Sequence, residues 1–192
     1  MLTLFFAPGA SSMAVHIALH EAGAAFEAHP LSFRRREHRS PAYLALNPAG
    51  QVPTLLIDGW PLTEVAAILF YLARRFPHAG LLPEAAEAEA QALSWMSFAA
   101  STLHPARRQG PDHAISVWKT AEGRMAGPGW LLGRYSVADI HLFRLFWRFN
   151  ASLRPDLAAF PKLAAHHDRM LTRPAVQRTI EAETAIGYEL PG

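Results

Sequence analysis

The chain has 192 residues, 51% of them hydrophobic and 18% charged, with a net charge of +2 and no cysteine. This composition supplies a sizeable core and excludes intrinsic disorder, while the missing cysteine removes disulfides, thiolate metal sites and any catalytic thiol of the protein's own. No apolar run approaches the ~18 residues that cross a bilayer, and Met1 to Phe6 lacks the basic start of a secretory signal, so no membrane segment and a cytoplasmic location are expected.

Leu2 to Phe6 is a short apolar run closed by Pro8-Gly9 and reads as a buried strand. Ser11-Ser12 stands where a helix should start; Met13, Ile17, Ala18 and Leu19 come next at helical spacing, and Gly23 is the stop. Phe26 to Leu31 reads as a second strand, parallel to the first because a helix intervenes. A polar loop with Arg34-Arg35-Arg36, a short helix over Pro41 to Leu46 and the turn Asn47-Pro48-Ala49-Gly50 come next. Val52 to Ile57 and Trp60 to Leu62 flank Asp58-Gly59, a hairpin signal, and Thr63 or Glu64 opens a helix to about Phe76.

From Pro77 to Pro83 periodicity stops, which marks a domain boundary. Helices are expected over Glu84 to about Arg108 and Pro111 to about Ala126, then from Ile140 to Phe149, Phe160 to Leu171 and Pro174 to about Ile186. The Ile140–Phe149 segment is apolar on nearly every side and belongs at the centre of a bundle. Ser136-Val137-Ala138-Asp139 before it is a variant of the capping box and has a structural role.

Two chemistries lack the residue patterns they need. His16 and His20 share a helix face, but Ile17 stands where a zinc-protease motif needs Glu and no third ligand is evident; His166 and His167, being adjacent, diverge. No metal is expected. Basic charge is dispersed except at Arg34–Arg36 and Arg107-Arg108, unlike the continuous face of a nucleic-acid binder.

A strand–helix–strand unit, an Asp-Gly hairpin led by Val-Pro and an all-helical remainder succeed one another in a specific order. The carriers are Phe5 to Ser12 with His16-Ile17-Ala18-Leu19, Asn47-Pro48-Ala49-Gly50-Gln51-Val52-Pro53, Leu62-Thr63-Glu64 with Ala67-Ile68 and Tyr71-Leu72. Later carriers are Trp130-Leu131-Leu132-Gly133, Ser136 to Asp139 and Phe160-Pro161-Lys162-Leu163. With these residues the chain resembles the cytosolic glutathione S-transferases, the bacterial beta-type members in particular. The resemblance implies an α/β thioredoxin-like N-terminal domain over 1–77 and an all-α helical domain over 84–192.

It also implies glutathione as co-substrate and a hydrophobic electrophilic small molecule as acceptor, with a role in detoxification and a homodimeric assembly. Pro53 would be a cis proline presenting the Val52 backbone to the cysteinyl residue, beside Gln51. Glu64 would face the γ-glutamyl amino group and the Val65 amide its carboxylate; relatives carry a small polar residue where Val65 stands. Ser11 aligns with the cysteine of beta-type members and Phe6 with a tyrosine of other relatives, so Ser11, or Ser12 one residue on, is the candidate donor to the thiolate. Either serine also suits a helix N-cap.

Arg35 is nearest the family's contact to the glycyl carboxylate, with Arg34 and Arg36 as alternatives. His104 is expected in the glutathione or acceptor site, with Phe6, Ala10, Arg107 and Arg108 lining the acceptor pocket. The segment from His104 to Trp130 is shorter than in most relatives. Without a protein thiol, conjugation, addition or isomerisation is expected and disulfide exchange is not. A non-catalytic binding protein on the same fold is the alternative, favoured by the apolar Phe6 and Val65.

Overall fold

In the computed structural model, which describes residues 1–190, the opening apolar run forms strand β1 (Leu2–Phe6) and Met13–Glu21 forms helix α1. Strand β2 (Phe26–Pro30) lies parallel to β1, with Leu2 opposite Phe26 and Phe6 opposite Pro30. Helix α2 (Pro41–Leu46) is capped by Ser40, whose hydroxyl accepts the Tyr43 amide at 3.2 Å. Strands β3 (Thr54–Ile57) and β4 (Trp60–Thr63) form the hairpin around Asp58-Gly59, and β3 runs antiparallel to β1, so the sheet order is β2-β1-β3-β4. β3 starts at Thr54 and not at Val52, as expected of a residue pair ending in proline, which has no amide for the ladder. The polar loop contains an unforeseen 3-10 turn, Glu37–Arg39, entered through Arg36 at φ 56°.

Side chains of a strand alternate between its faces. Phe6 meets the His16 ring of α1 at 5.0 Å, whereas Phe5 meets Tyr43 of α2 at 5.7 Å. The two helices thus cover opposite faces of the sheet, and helix α3 (Val65–Arg75) packs beside α1.

The second unit, Gly80–Arg173, is helical. Helix α4 (Ala86–Phe98) continues into a π-helical stretch, Ala99–Leu103, one turn of α-helix, α5 (His104–Ala106), and a 3-10 turn, Arg107–Gln109. The sequence suggested one uninterrupted helix here; the wider π turn re-aims the residues beyond it. Helix α6 (Pro111–Arg124) comes next.

Helix α7 (Val137–Leu153) is buried at every residue from Val137 to Phe146, as its all-round apolar sequence requires. Trp118 of α6 stacks on Phe149 at 5.0 Å and meets Phe146 at 5.3 Å. Phe160, just before helix α8 (Pro161–Leu171), packs edge-on against Phe149 at 5.7 Å. Each such aromatic pair contributes about 0.5–1.5 kcal/mol beyond its area.

Helix α9 (Pro174–Ile186) departs from the expected division of the chain. It packs on α1, so the first unit consists of Met1–Ala79 and the chain from Pro174 onward. The physical reason is its buried stripe of Ala175, Val176, Thr179 and Glu183, in which the Glu183 carboxylate meets His16 Nδ1 at 2.9 Å. Among the described residues no helix is long and apolar enough to cross a membrane.

The capping box read from Ser136 and Asp139 is present, and Asp139 does more than cap. Its Oδ2 accepts the Ser136 amide at 2.9 Å and hydroxyl at 3.0 Å, while Oδ1 accepts the Leu131 amide at 2.9 Å and lies 3.0 Å from His166 Nε2 of α8. Asp139→Ala would strand these buried partners and is expected to destabilise the protein by about 3–5 kcal/mol. A thermal melt checks this: the midpoint should fall by about 10 °C, at the ~2–4 °C per kcal/mol of a chain this size.

Candidate functional site

The end of β1, the start of α1 and the start of β3 meet at one corner of the sheet, because β1 lies between β2 and β3 and α1 comes after β1 with only a tight turn between them. In that corner Ser11 is partly exposed and its hydroxyl donates to the Val52 carbonyl at 2.8 Å. Ser12 is fully buried; its hydroxyl accepts the Ala7 amide at 3.2 Å and donates to the Ala7 carbonyl at 3.1 Å. Neither bond is an N-cap bond to α1, and they close the turn that precedes it. The two serines therefore differ: Ser12 holds the turn, and Ser11 stands at its open side.

The Val52–Pro53 peptide is cis, as the resemblance implied. Behind it the Tyr43 hydroxyl and the Asn47 amide both donate to the Gln51 carbonyl, and both also meet Thr54 Oγ1, at 2.9 Å and 3.2 Å. Burial pushes the Tyr43 phenol above its ordinary pKa, so it stays a donor. The Gln51 side chain is exposed.

Glu64 precedes α3 at φ 70°, ψ 121°, a conformation that costs a non-glycine residue about 1–3 kcal/mol. Strain of this kind at an exposed position directs attention to a ligand. Val65 opens α3, whose first-turn amides lack intrahelical partners and form an anion-favouring end.

The arginine loop is stapled by two carboxylates. Glu37 accepts the Ser32 amide at 2.7 Å and Arg35 Nε at 3.0 Å; Glu189 accepts the Ser32 hydroxyl at 2.9 Å and the Arg34 amide at 3.0 Å. The Arg34 amide, with the Ser32 hydroxyl, holds the Glu189 carboxyl below the usual range, and the Ser32 amide does so for Glu37. Arg34, Arg35 and Arg36 are all exposed.

Glu189 and Leu190 belong to the tail after α9, and Leu190 packs against the small cluster of Ala7, Ala10, Tyr43 and Val52. Gly9, at φ +70°, makes room for this tail: a Cβ there would lie 2.8 Å from both Leu190 and Tyr188. The Gly9 amide donates to Glu183 Oε2 at 2.6 Å.

Two expected acceptor-pocket residues prove to be packing residues. Phe6 is 1% exposed, sealed against His16 by the strand alternation, and Ala10 is buried in the small cluster. Among the described residues no group of three or more metal-ligating side chains converges; His16 is engaged by Glu183, and His20 stacks on it at 5.1 Å.

His104, Arg107 and Arg108 belong to the second unit. His104 keeps an exposed edge but rests on dense protein; that desolvation, then Arg144, Arg108 and Arg107, push its pKa down to about 4. Burial, with His104 and Arg144, takes the neighbouring His141 down to about 3.

Sequence reasoning missed Glu183, the tail and the Tyr43–Thr54 pair. Glu183 had a signal, an acid on the buried i, i+3, i+7 stripe of α9 that begins at Val176. The tail had none, since Gly187 to Leu190 is irregular and carries no periodicity.

Residues 1–74 match the family described as "Glutathione S-transferase, N-terminal domain", and residues 116–174 match its "C-terminal domain". The chain is 33% identical to glutathione S-transferase GstA of Escherichia coli O157:H7 over 95% of this chain and 98% of that protein. It is also similar to a glutathione transferase homologue from Sulfitobacter with bound glutathione, at 34% identity and a TM-score of 0.86 over 95% of this chain and 98% of that one. The bacterial beta class enzyme of Sphingomonas chungbukensis has 35% identity and a TM-score of 0.80 over 94% and 98%.

His20, lowered to about 4 mainly by burial, joins His104 at about 4 and His141 at about 3. An unfolded chain protonates these histidines near 6.5, so it takes up protons that the folded chain refuses, and their contribution, full above about pH 6.5, is lost as pH falls toward 4. Melts at pH 7 and pH 5 are expected to show the lower midpoint at pH 5; equal midpoints would contradict the assignment.

Proposed function

The chain belongs to the glutathione S-transferase family, and for the transfer reaction of this enzyme we propose a division of labour centred on Ser11. The protein activates the glutathione thiolate for attack on an electrophilic small molecule, and the sulfur is glutathione's own because the chain has no cysteine. The observation that carries the proposal is the 2.8 Å bond from the Ser11 hydroxyl to the Val52 carbonyl. When glutathione lies along the Val52–Pro53 segment as an added strand, its cysteinyl N–H takes over that carbonyl. The Ser11 hydroxyl is then released to donate to the sulfur, beside the positive end of α1, and both effects favour the thiolate over the thiol.

Glu64 and the Val65 amide take the γ-glutamyl end, and the strained Glu64 backbone supports this role. Val65 supplies no hydroxyl, so the γ-glutamyl carboxylate rests on backbone donors, weaker by about 0.5–1.5 kcal/mol than with a serine there. Arg35 and its neighbours offer charge to the glycyl carboxylate, and Gln51 borders the peptide. Ser12 is assigned to the turn. The thiol proton goes to solvent as the thiolate forms; the sulfur then adds to the electrophilic carbon, and either a leaving group departs with its electron pair or a double bond is saturated by a proton taken back from solvent. The non-catalytic reading is disfavoured, since relatives spanning nearly the whole chain are glutathione transferases and one is similar with glutathione bound. The reading also carries a homodimer, a cytoplasmic location and a part in detoxification; sedimentation as a monomer at micromolar concentration would count against the first.

Ser11→Ala is expected to return the pKa of the bound thiol toward ~8.5 and to lower kcat/KM near neutral pH about 10- to 100-fold, the value of a hydrogen bond to a charged group. Ultraviolet titration of the enzyme-bound thiolate reads the first and a generic aromatic electrophile the second; an unchanged thiol pKa would remove Ser11 from the mechanism. Ser12→Ala should leave that pKa in place and instead cost about 1–3 kcal/mol of stability, because the buried Ala7 amide loses its acceptor.

A further inference from the structure

The loop between β2 and α2 has little local reason to hold one shape. Ser32 to Glu37 contains no glycine, proline or asparagine and sets three positive charges side by side at Arg34, Arg35 and Arg36. Arg36 also stands at φ 56°, in the left-handed region that a residue with a Cβ adopts only at a cost. Local bonds supply part of the support: the Arg36 amide donates to the Phe33 carbonyl at 3.1 Å, the Glu37 amide to the Ser32 carbonyl at 3.0 Å, and the Ser32 amide to the Glu37 carboxylate.

Further support comes from the other end of the chain. Glu189 lies 155 residues beyond Arg34 and accepts both the Arg34 amide and the Ser32 hydroxyl. The Ser32 oxygen in turn accepts the Arg35 amide at 3.1 Å. One carboxylate thus fixes two successive arginines at their backbone, directly for Arg34 and through a polarised hydroxyl for Arg35. Glu189 is itself held in place. Tyr188 and Leu190, on either side of it, both close on Gly9, and Leu190 packs against Val52 and its neighbours. The tail therefore joins the segment on which the cysteinyl residue pairs to the loop that carries the arginines, all within the first unit.

Two roles for Glu189 have effects of opposite sign. As a charge it opposes an incoming carboxylate, so its removal would tighten anion binding. As a support it orders the loop before the ligand arrives, so its removal would leave the ligand to bear the ordering cost and would weaken binding.

We propose that Glu189 is a positioning residue for glutathione: through Ser32 and the Arg34 amide it presets the arginine loop for the glycyl carboxylate, without touching the tripeptide itself. The inference rests on the reading of that loop as the glycyl end of the glutathione site.

Glutathione and its glycyl ethyl ester differ in that carboxylate alone. The ratio of their dissociation constants, measured by titration calorimetry on the full chain, therefore reads the loop. The wild-type protein is expected to prefer glutathione about tenfold, the worth of a hydrogen bond to a charged group. Glu189→Ala should weaken glutathione about fivefold and leave the ester in place, with circular dichroism unchanged. Glu189→Gln keeps one acceptor oxygen without the charge and should fall between the two. In turnover with 1-chloro-2,4-dinitrobenzene, the KM of Glu189→Ala for glutathione should rise while kcat and the pKa of the bound thiol stay as they were. Ser32→Ala removes the shared hydroxyl from the other side, and the double variant should lose less than the sum of the two single losses.

A preference that is unchanged or increased in Glu189→Ala overturns the proposal; if Arg34→Gln or Arg35→Gln lowers it in the same assay, the loop keeps its glycyl role. Equal weakening of both ligands would make the tail a general support of the first unit and overturn the proposal as well. A wild-type protein that binds both thiols equally overturns the glycyl assignment together with the proposal. One that binds neither overturns the transferase reading and the proposal with it.

Discussion

A carboxylate sealed away from water must be matched by donors or it unfolds its surroundings, and Glu183 is matched at two points that are both far from it in sequence. One oxygen meets His16 in the middle of α1; the other takes the Gly9 amide in the turn that leads to Ser11. The last helix is thus held against the first, and the turn between β1 and α1 is fixed from outside the sheet. The neighbouring contacts all depend on that fixed turn. Ser12 closes it from within, Ser11 reaches Val52 across it, and the tail packs into the space left by Gly9.

The second unit uses the same device for a different end. Asp139, also fully buried, gathers the N-terminus of α7, the loop at Leu131 and His166 of α8. In both units one buried acid ties together segments that local propensity would leave independent. Around Asp139 the consequence is rigidity of the core helix; around Glu183 it is placement of a hydroxyl. Arg144 and Arg148 then sit on a helix whose position Asp139 has already determined, so both are held on a rigid element.

The sequence announced those parts of the fold that local physics decides. β1, α1, the Asp-Gly hairpin and the central α7 were readable because apolar spacing and turn residues agree there. Pro53 and the Ser136–Asp139 box were readable because few residue types do those jobs. The π-helical stretch was not, since Ala99 to Leu103 has ordinary helix formers and only packing selects the wider turn. The fate of α9 was hidden for a similar reason: an amphipathic helix shows that it has a partner but not which one. At the site, the order of roles between Ser11 and Ser12 needed coordinates, because adjacent serines before a helix are equivalent until one is buried. Phe6 was misplaced because alignment assigns a position and strand parity assigns a direction.

The return of α9 to the first unit has a bearing on how the protein is made. The segment from Met1 to Ala79 precedes the helical unit on the ribosome, but the helix that supplies the Glu183 partner of His16 comes after that unit. The helical unit, Gly80–Arg173, is complete in sequence before that, and domains fold as their residues become available. Biosynthesis therefore finishes the later unit first, and the earlier one waits with His16 lacking its acid until α9 has been made. The turn that carries Ser11 is in this sense fixed only after the helical unit has been made.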